Sequence, residues 1–198
     1  MKSIIALFFL VGSVAASAQH PTGNSTSNTS SQALPKQANA QYAGEQKRSI
    51  KALSDDMIDG YRMGRGMGMA KAAELNHYPG PMHILDMKAK LHLTGEQVSQ
   101  LQAIFETMHT EAVNTGNMLI DEEQALDDIF AKGVADSSMV QSLTARIGEL
   151  YAKIRFAHLN AHIKAQKILS KEQIALYDQE RGYTEGTATS SRKSKPKK

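Results

Sequence analysis

From Thr94 to Leu169 the apolar residues return at alternating steps of three and four, the spacing of one face of an α-helix. The first run reads Val98, Leu101, Phe105, Met108, Ala112, Thr115, Leu119, Glu122, Leu126, Ile129. The second reads Val140, Leu143, Ile147, Leu150, Ile154, Ala157, Ala161, Lys164, Ile168. The pattern predicts one helix from Thr94 to about Lys132, a turn at Gly133, and a second from about Asp136 to Leu169. At 1.5 Å per residue the first would be roughly 58 Å long. Two such seams joined by a short turn predict an antiparallel helical hairpin with coiled-coil-like packing. Ile104, Ile120, Phe130 and Tyr151 lie off the seam and need cover from the shorter helices, a second copy of the chain, or both.

The flanks are also helical in pattern. Ser54 to Asn76 reads as a helix, with Ser54 as N-cap and Asp55 and Asp56 in the first turn, where negative charge suits the helix dipole. Tyr78 to Pro81 is a hard break. A short helix is expected near Met82 to Lys90, and a last one from Ser170 to about Arg181. No stretch alternates with period two long enough to suggest a strand. The predicted class is all-α: a long antiparallel hairpin with short flanking helices.

One phrase occurs twice. Leu93-Thr94-Gly95-Glu96-Gln97 and Leu169-Ser170-Lys171-Glu172-Gln173 each open a helix. Thr94 with Gln97, and Ser170 with Gln173, have the spacing of a capping box: the hydroxyl accepts the backbone N–H three residues on, and the glutamine reaches back to the cap's own N–H. Leu93 can pack on Val98, and Leu169 on Ile174, as a hydrophobic staple. The hairpin would bring both starts to the same end.

The chain ends change the reading of charge and location. Lys2, an apolar run from Ile4 to Val11 and Ala16-Ser17-Ala18 make a secretory signal peptide over residues 1–18, with cleavage expected after Ala18. No later stretch approaches the roughly 20 apolar residues of a membrane span, so the mature form is expected to be exported without a transmembrane segment. Residues 19–41 are rich in Ser, Thr, Asn and Gln and read as a polar linker; residues 42–183 form the domain; residues 184–198 read as a disordered basic tail. Setting aside Lys2 and the tail's Arg192, Lys193, Lys195, Lys197 and Lys198, 17 basic residues stand against 20 acidic ones, a net charge of −3 over residues 19–185 against +3 for the whole chain. The domain therefore lacks the basic footprint of a nucleic-acid binder. The absence of cysteine excludes disulfides, thiolate metal sites and cysteine nucleophiles.

A doubled Leu-[Thr/Ser]-x-x-Gln bracketing a helical hairpin behind a signal peptide resembles the LTxxQ signature of the Spy/CpxP family, which overlaps the periplasmic heavy-metal sensor and resistance proteins. The likeness runs over roughly residues 80–183. It implies a small, all-helical, cradle-like periplasmic homodimer without catalytic activity. Some such proteins act as ATP-independent chaperones on unfolded clients. Others bind zinc, nickel, cobalt or copper and report stress to an inner-membrane partner. No organic cofactor is expected.

His158 and His162 are four apart and share a helix face, so they can hold one borderline metal ion. Folding the hairpin at its turn makes facing residue numbers sum to about 269, which sets Glu111 opposite His158 and Thr107–Met108, beside His109, opposite His162. His83 and Met87 form a further pair four apart. In metal-sensing relatives the resemblance implies a site shared among an early His pair, an acid on the first long helix and a His-x-x-x-His/Met pair on the second. Met87 stands where the early pair has its second histidine, which leaves the set one nitrogen short or shifts it toward softer ions. The other reading of these histidines is a polar pair bonded to neighbours or water. Met57, Met63, Met67 and Met69, interleaved with Gly60, Gly64 and Gly68, read either as Cu(I)-compatible thioethers or as filler on a docking helix with a bare glycine face. The acids Glu122, Glu123, Asp127 and Asp128 read as a solvated face pairing with Arg146, and no nucleophile motif is present. Two functions remain: a metal-responsive envelope-stress or resistance protein, and an ATP-independent periplasmic chaperone.

Overall fold

The computed structural model describes residues 41–184; the expected signal peptide, nearly all of the linker and the tail beyond residue 184 lie outside the described residues. Among the described residues six α-helices follow in order: α1 (Asp55–Arg62), α2 (Lys71–Glu74), α3 (Pro81–Asp86), α4 (Gly95–Ala131), α5 (Ser137–Gln166) and α6 (Lys171–Arg181). Among the described residues there is no strand. Helices α4 and α5 form the expected hairpin. Asp136 caps α5 by accepting from Met139 N at 2.8 Å, and Arg146 Nε donates to Glu122 Oε2 across the hairpin at 3.0 Å. No helix among the described residues is long and apolar enough to cross a membrane.

Both capping boxes form. Thr94 Oγ1 accepts from Gln97 N, and Gln97 Oε1 accepts from Thr94 N; Ser170 and Gln173 repeat the arrangement. The two glutamines also bind each other. Gln97 Nε2 donates to Gln173 Oε1 at 2.9 Å and to Ile168 O at 2.9 Å. Gln173 Nε2 donates to Gln97 Oε1 at 3.1 Å and to Leu91 O at 3.1 Å. Each amide thus uses both donors and both acceptor positions. This is why the third helical position is Gln: a Glu would keep the capping box but supply no donor.

The expected helix from Ser54 to Asn76 is not continuous. Ser54 caps α1 as anticipated, accepting from Met57 N at 3.2 Å. After Arg62 the chain turns through Gly64 at φ 58°, with Arg65 N bonded to Gly60 O at 2.8 Å and Gly64 N to Tyr61 O at 3.1 Å. That is a Schellman stop, which needs a residue tolerant of the left-handed region. The segment to Gly68 is a loop, and α2 is a single turn. Of the regular glycines, Gly60 lies within α1, Gly64 ends it and Gly68 is in the loop, so they do not form the bare face of one docking helix. The glycine that admits close approach of another helix's backbone is Gly116 on α4, where an added Cβ would lie 2.6 Å from Tyr61 O. Helix α3 begins at Pro81 and ends at Asp86, shorter than expected.

The core is in two parts. Ile58, Tyr61 and Met69 pack with Ala112, Leu119, Ile120 and Ile154 along the middle of the hairpin. Ile84, Leu91, Leu101, Ala165, Leu169 and Tyr177 pack at its open end. Of the off-seam residues, Ile120 is buried and Ile104 half-buried, while Phe130 and Tyr151 stay exposed.

Candidate functional site

Between the two cores lies a cavity of about 590 Å³. Its position follows from residue numbers. Phe105, Met108 and His109 fall between Leu101 of one core and Ala112 of the other; His158 and His162 fall between Ile154 and Ala165. The Met63–Gly68 loop, α2 with its flanks, the start of α3 and Tyr183 form the remaining walls. Met63, Met67, Leu75 and Met82, all well exposed, stand around it, while Met108 is buried.

His158 and His162 each follow a buried seam alanine, Ala157 or Ala161, by one residue, which turns them about 100° toward the α1–α3 side. Both are buried. His162 Nδ1 is 2.7 Å from Tyr78 O. A carbonyl only accepts, so Nδ1 carries the hydrogen and neutral His162 keeps its lone pair on Nε2. Gly80 closes over that ring edge: an added Cβ would lie 2.9 Å from His162 Cε1. His158 is 4 % exposed, and its buried Nε2 has no hydrogen-bond partner. Burial, with His162 and His109 nearby, pushes His158 below the usual imidazole pKa. Burial and Arg181 act the same way on His83.

Glu74 is the anchor beside them. Its Oε1 accepts from Tyr177 OH and from Tyr183 OH (3.1 Å) and lies 3.5 Å from Arg181 Nε. Its Oε2 accepts from Gly80 N at 3.2 Å and stands 3.7 Å from His162 Nδ1. Burial and this carboxylate raise the Tyr177 phenol well above its ordinary range, so it stays a donor. Glu74 thus ties α2, α3 and α6 to the histidine face. Nothing in its local sequence signals that role, which depends on partners up to 109 residues away.

Three of the expected ligands, His83, His158 and His162, line the cavity. Two do not. Met87 ends α3 and packs into the core at the open end, because α3 stops short and the chain turns there. Glu111 is exposed on the opposite flank of the hairpin, beside Asn160 and Lys164. The register placed it at the right height, but in an antiparallel pair the residues that follow each seam position share a flank. Glu111 precedes Ala112, whereas His109 follows Met108 and does share the cavity. Its Nε2 lies 3.1 Å from Met63 O. Among the described residues no three His, Asp or Glu side chains stand close enough together to hold a metal ion.

Neither a curated protein nor a solved structure matches the chain significantly. Residues 80–181, from the Gly80 turn through both capping boxes to the end of α6, match the model of the LTXXQ motif family. The chain therefore belongs to the LTXXQ motif family, the Spy/CpxP type.

Proposed function

We propose that this chain is a non-catalytic periplasmic stress or resistance protein that binds a transition-metal ion through His158 and His162. Membership of a family of non-catalytic, typically periplasmic proteins supports the coarse part of that reading. The observation that carries the metal is the state of the two imidazoles. His162 has its proton on Nδ1 against Tyr78 O, which frees Nε2, and His158 has an unpartnered buried Nε2. Buried polar atoms without partners are rare, and an ion accounts for one. The Tyr78 carbonyl acts as the outer partner that fixes a ligand's tautomer. The two imidazoles thus offer an ion two nitrogen lone pairs. The experiment is isothermal titration of chelator-stripped protein with Ag⁺, Zn²⁺, Ni²⁺, Co²⁺ and Cu²⁺, beside the His158→Ala/His162→Ala variant. Binding that the variant loses supports the reading. Equal heats from both proteins would overturn it.

A second reading, ATP-independent capture of unfolded clients, is favoured by apolar side chains left open on the hairpin. Phe156 and Ile163 lie seven apart on one face of α5, at 61 % and 43 % exposure, and Phe130 and Val134 are exposed at the hairpin tip. Suppression of client aggregation, lost on Phe156→Ser/Ile163→Ser, tests it; an unchanged variant would remove these residues from the account. The same faces would cover one another in a homodimer, which sedimentation would detect.

A further inference from the structure

We infer that the ion this cavity selects is a soft monovalent d¹⁰ cation, Cu(I) or Ag(I), held by His158 and His162 together with thioethers drawn from Met63, Met82 and Met108. This rests on the metal reading above and names the class of ion.

The argument is one of donors and charge. The carboxylate expected to complete a divalent site, Glu111, is on the other flank. The carboxylate that lines the cavity, Glu74, already receives Tyr177, Tyr183 and Gly80 N–H and is held beside Arg181. No third His, Asp or Glu among the described residues joins a metal-holding group. The donors that remain at the cavity are neutral: imidazole nitrogen and methionine sulfur. Thioether sulfur favours Cu(I)-like ions, imidazole suits zinc, copper and nickel alike, and hard dications favour carboxylate and carbonyl oxygen, so the sulfurs set the preference.

Charge points the same way. The desolvation cost of an ion grows with the square of its charge, so without an anionic ligand a dication is far costlier than a monocation in a half-enclosed apolar site. Arg65 and Lys71 also line the cavity, and they repel a dication twice as strongly. Not every methionine is free. Met67 has its sulfur lodged against Gly60, where an added Cβ would lie 2.1 Å from Sδ. It serves to hold the loop to α1. Met63 and Met82, at 59 % and 48 % exposure, and the buried Met108 are the sulfurs left at the cavity.

The test uses the full chain with [methyl-¹³C]methionine, titrated separately with Ag⁺ and Zn²⁺ and read by methyl NMR and by competition with a chelator. The expected result is tighter binding of Ag⁺ than of Zn²⁺. Methyl shifts should be confined to methionines at the cavity, leaving Met57, Met118 and Met139 unmoved. Met82→Leu and Met108→Leu keep volume and fold. Each ligating sulfur lost should weaken Ag⁺ by about tenfold or more and leave Zn²⁺ unchanged. Zn²⁺ binding lost in the histidine variant, with no methionine shift from Ag⁺, would overturn the soft-ion assignment while leaving the metal reading intact. Failure of both ions to bind would overturn both.

Discussion

At the scale of single residues, the molecule depends on a few contacts with no slack. Gly116→Ala would drive a methyl group into the Tyr61 carbonyl on α1, 2.6 Å away. The expected cost is about 1–3 kcal/mol, the usual range for overpacking, measured by urea unfolding. Gly80→Ala would press on the His162 ring and pull it off Tyr78 O, so ion affinity should fall even where the fold survives. His158 sets a pH dependence. Its folded pKa lies below the ordinary 6.5, so below that value the unfolded chain binds more protons than the folded one. Stability of the metal-free protein is therefore full above the unfolded pKa and falls as pH drops through and below it. His158→Leu should flatten that slope in unfolding free energy measured from pH about 7 to about 5; an unchanged slope would assign it elsewhere, His83 being the next group shifted in the same direction.

At the scale of elements, the doubled phrase begins two helices and also clasps them. Thr94→Ala and Ser170→Ala should each cost about 1 kcal/mol, as capping hydroxyls do. Gln97→Glu separates the two roles. It keeps the reach to Thr94 N but loses the donations to Ile168 O and Gln173 Oε1, with a carboxylate now set against an amide oxygen. We expect about 1–3 kcal/mol, and a coupling between Gln97→Ala and Gln173→Ala of about 0.5–3 kcal/mol in a double-mutant cycle. Additive effects would show that the clasp contributes nothing. The boxes were legible in the sequence because a capping box spans three residues. The clasp was not, because its partners are 76 residues apart and nothing in either pentapeptide specifies that the two amides meet. The same limit overextended α1, whose start at Ser54 was legible: a glycine every fourth residue suits a helix face, and only the backbone's return on itself at Gly64 made that residue a stop.

At the scale of the whole molecule, an ion that binds the folded chain and not the unfolded one must stabilise it. At a hundredfold excess over Kd the gain is about 2.7 kcal/mol, so calorimetry should show Tm rising with ion concentration, and not in His158→Ala/His162→Ala. The sequence alone determined that the chain is helical, where the hairpin turns, most of its seam, and that two helices open on capping boxes; Lys164, expected in the seam, is exposed, and Ala165 is buried in its place. These follow from local spacing, and a 3.6-residue period or a three-residue cap leaves its mark wherever the segment ends up. Only the tertiary structure decided what the flanking segments enclose. It divided the core in two, opened a cavity between the halves, turned His158 and His162 into it with His109, and sent Glu111 to the far side. The physical reason is rotational. Spacing along one helix fixes which residues share its face, but the face that meets a neighbour, and the flank on which a facing residue emerges, are set by packing between helices distant in sequence.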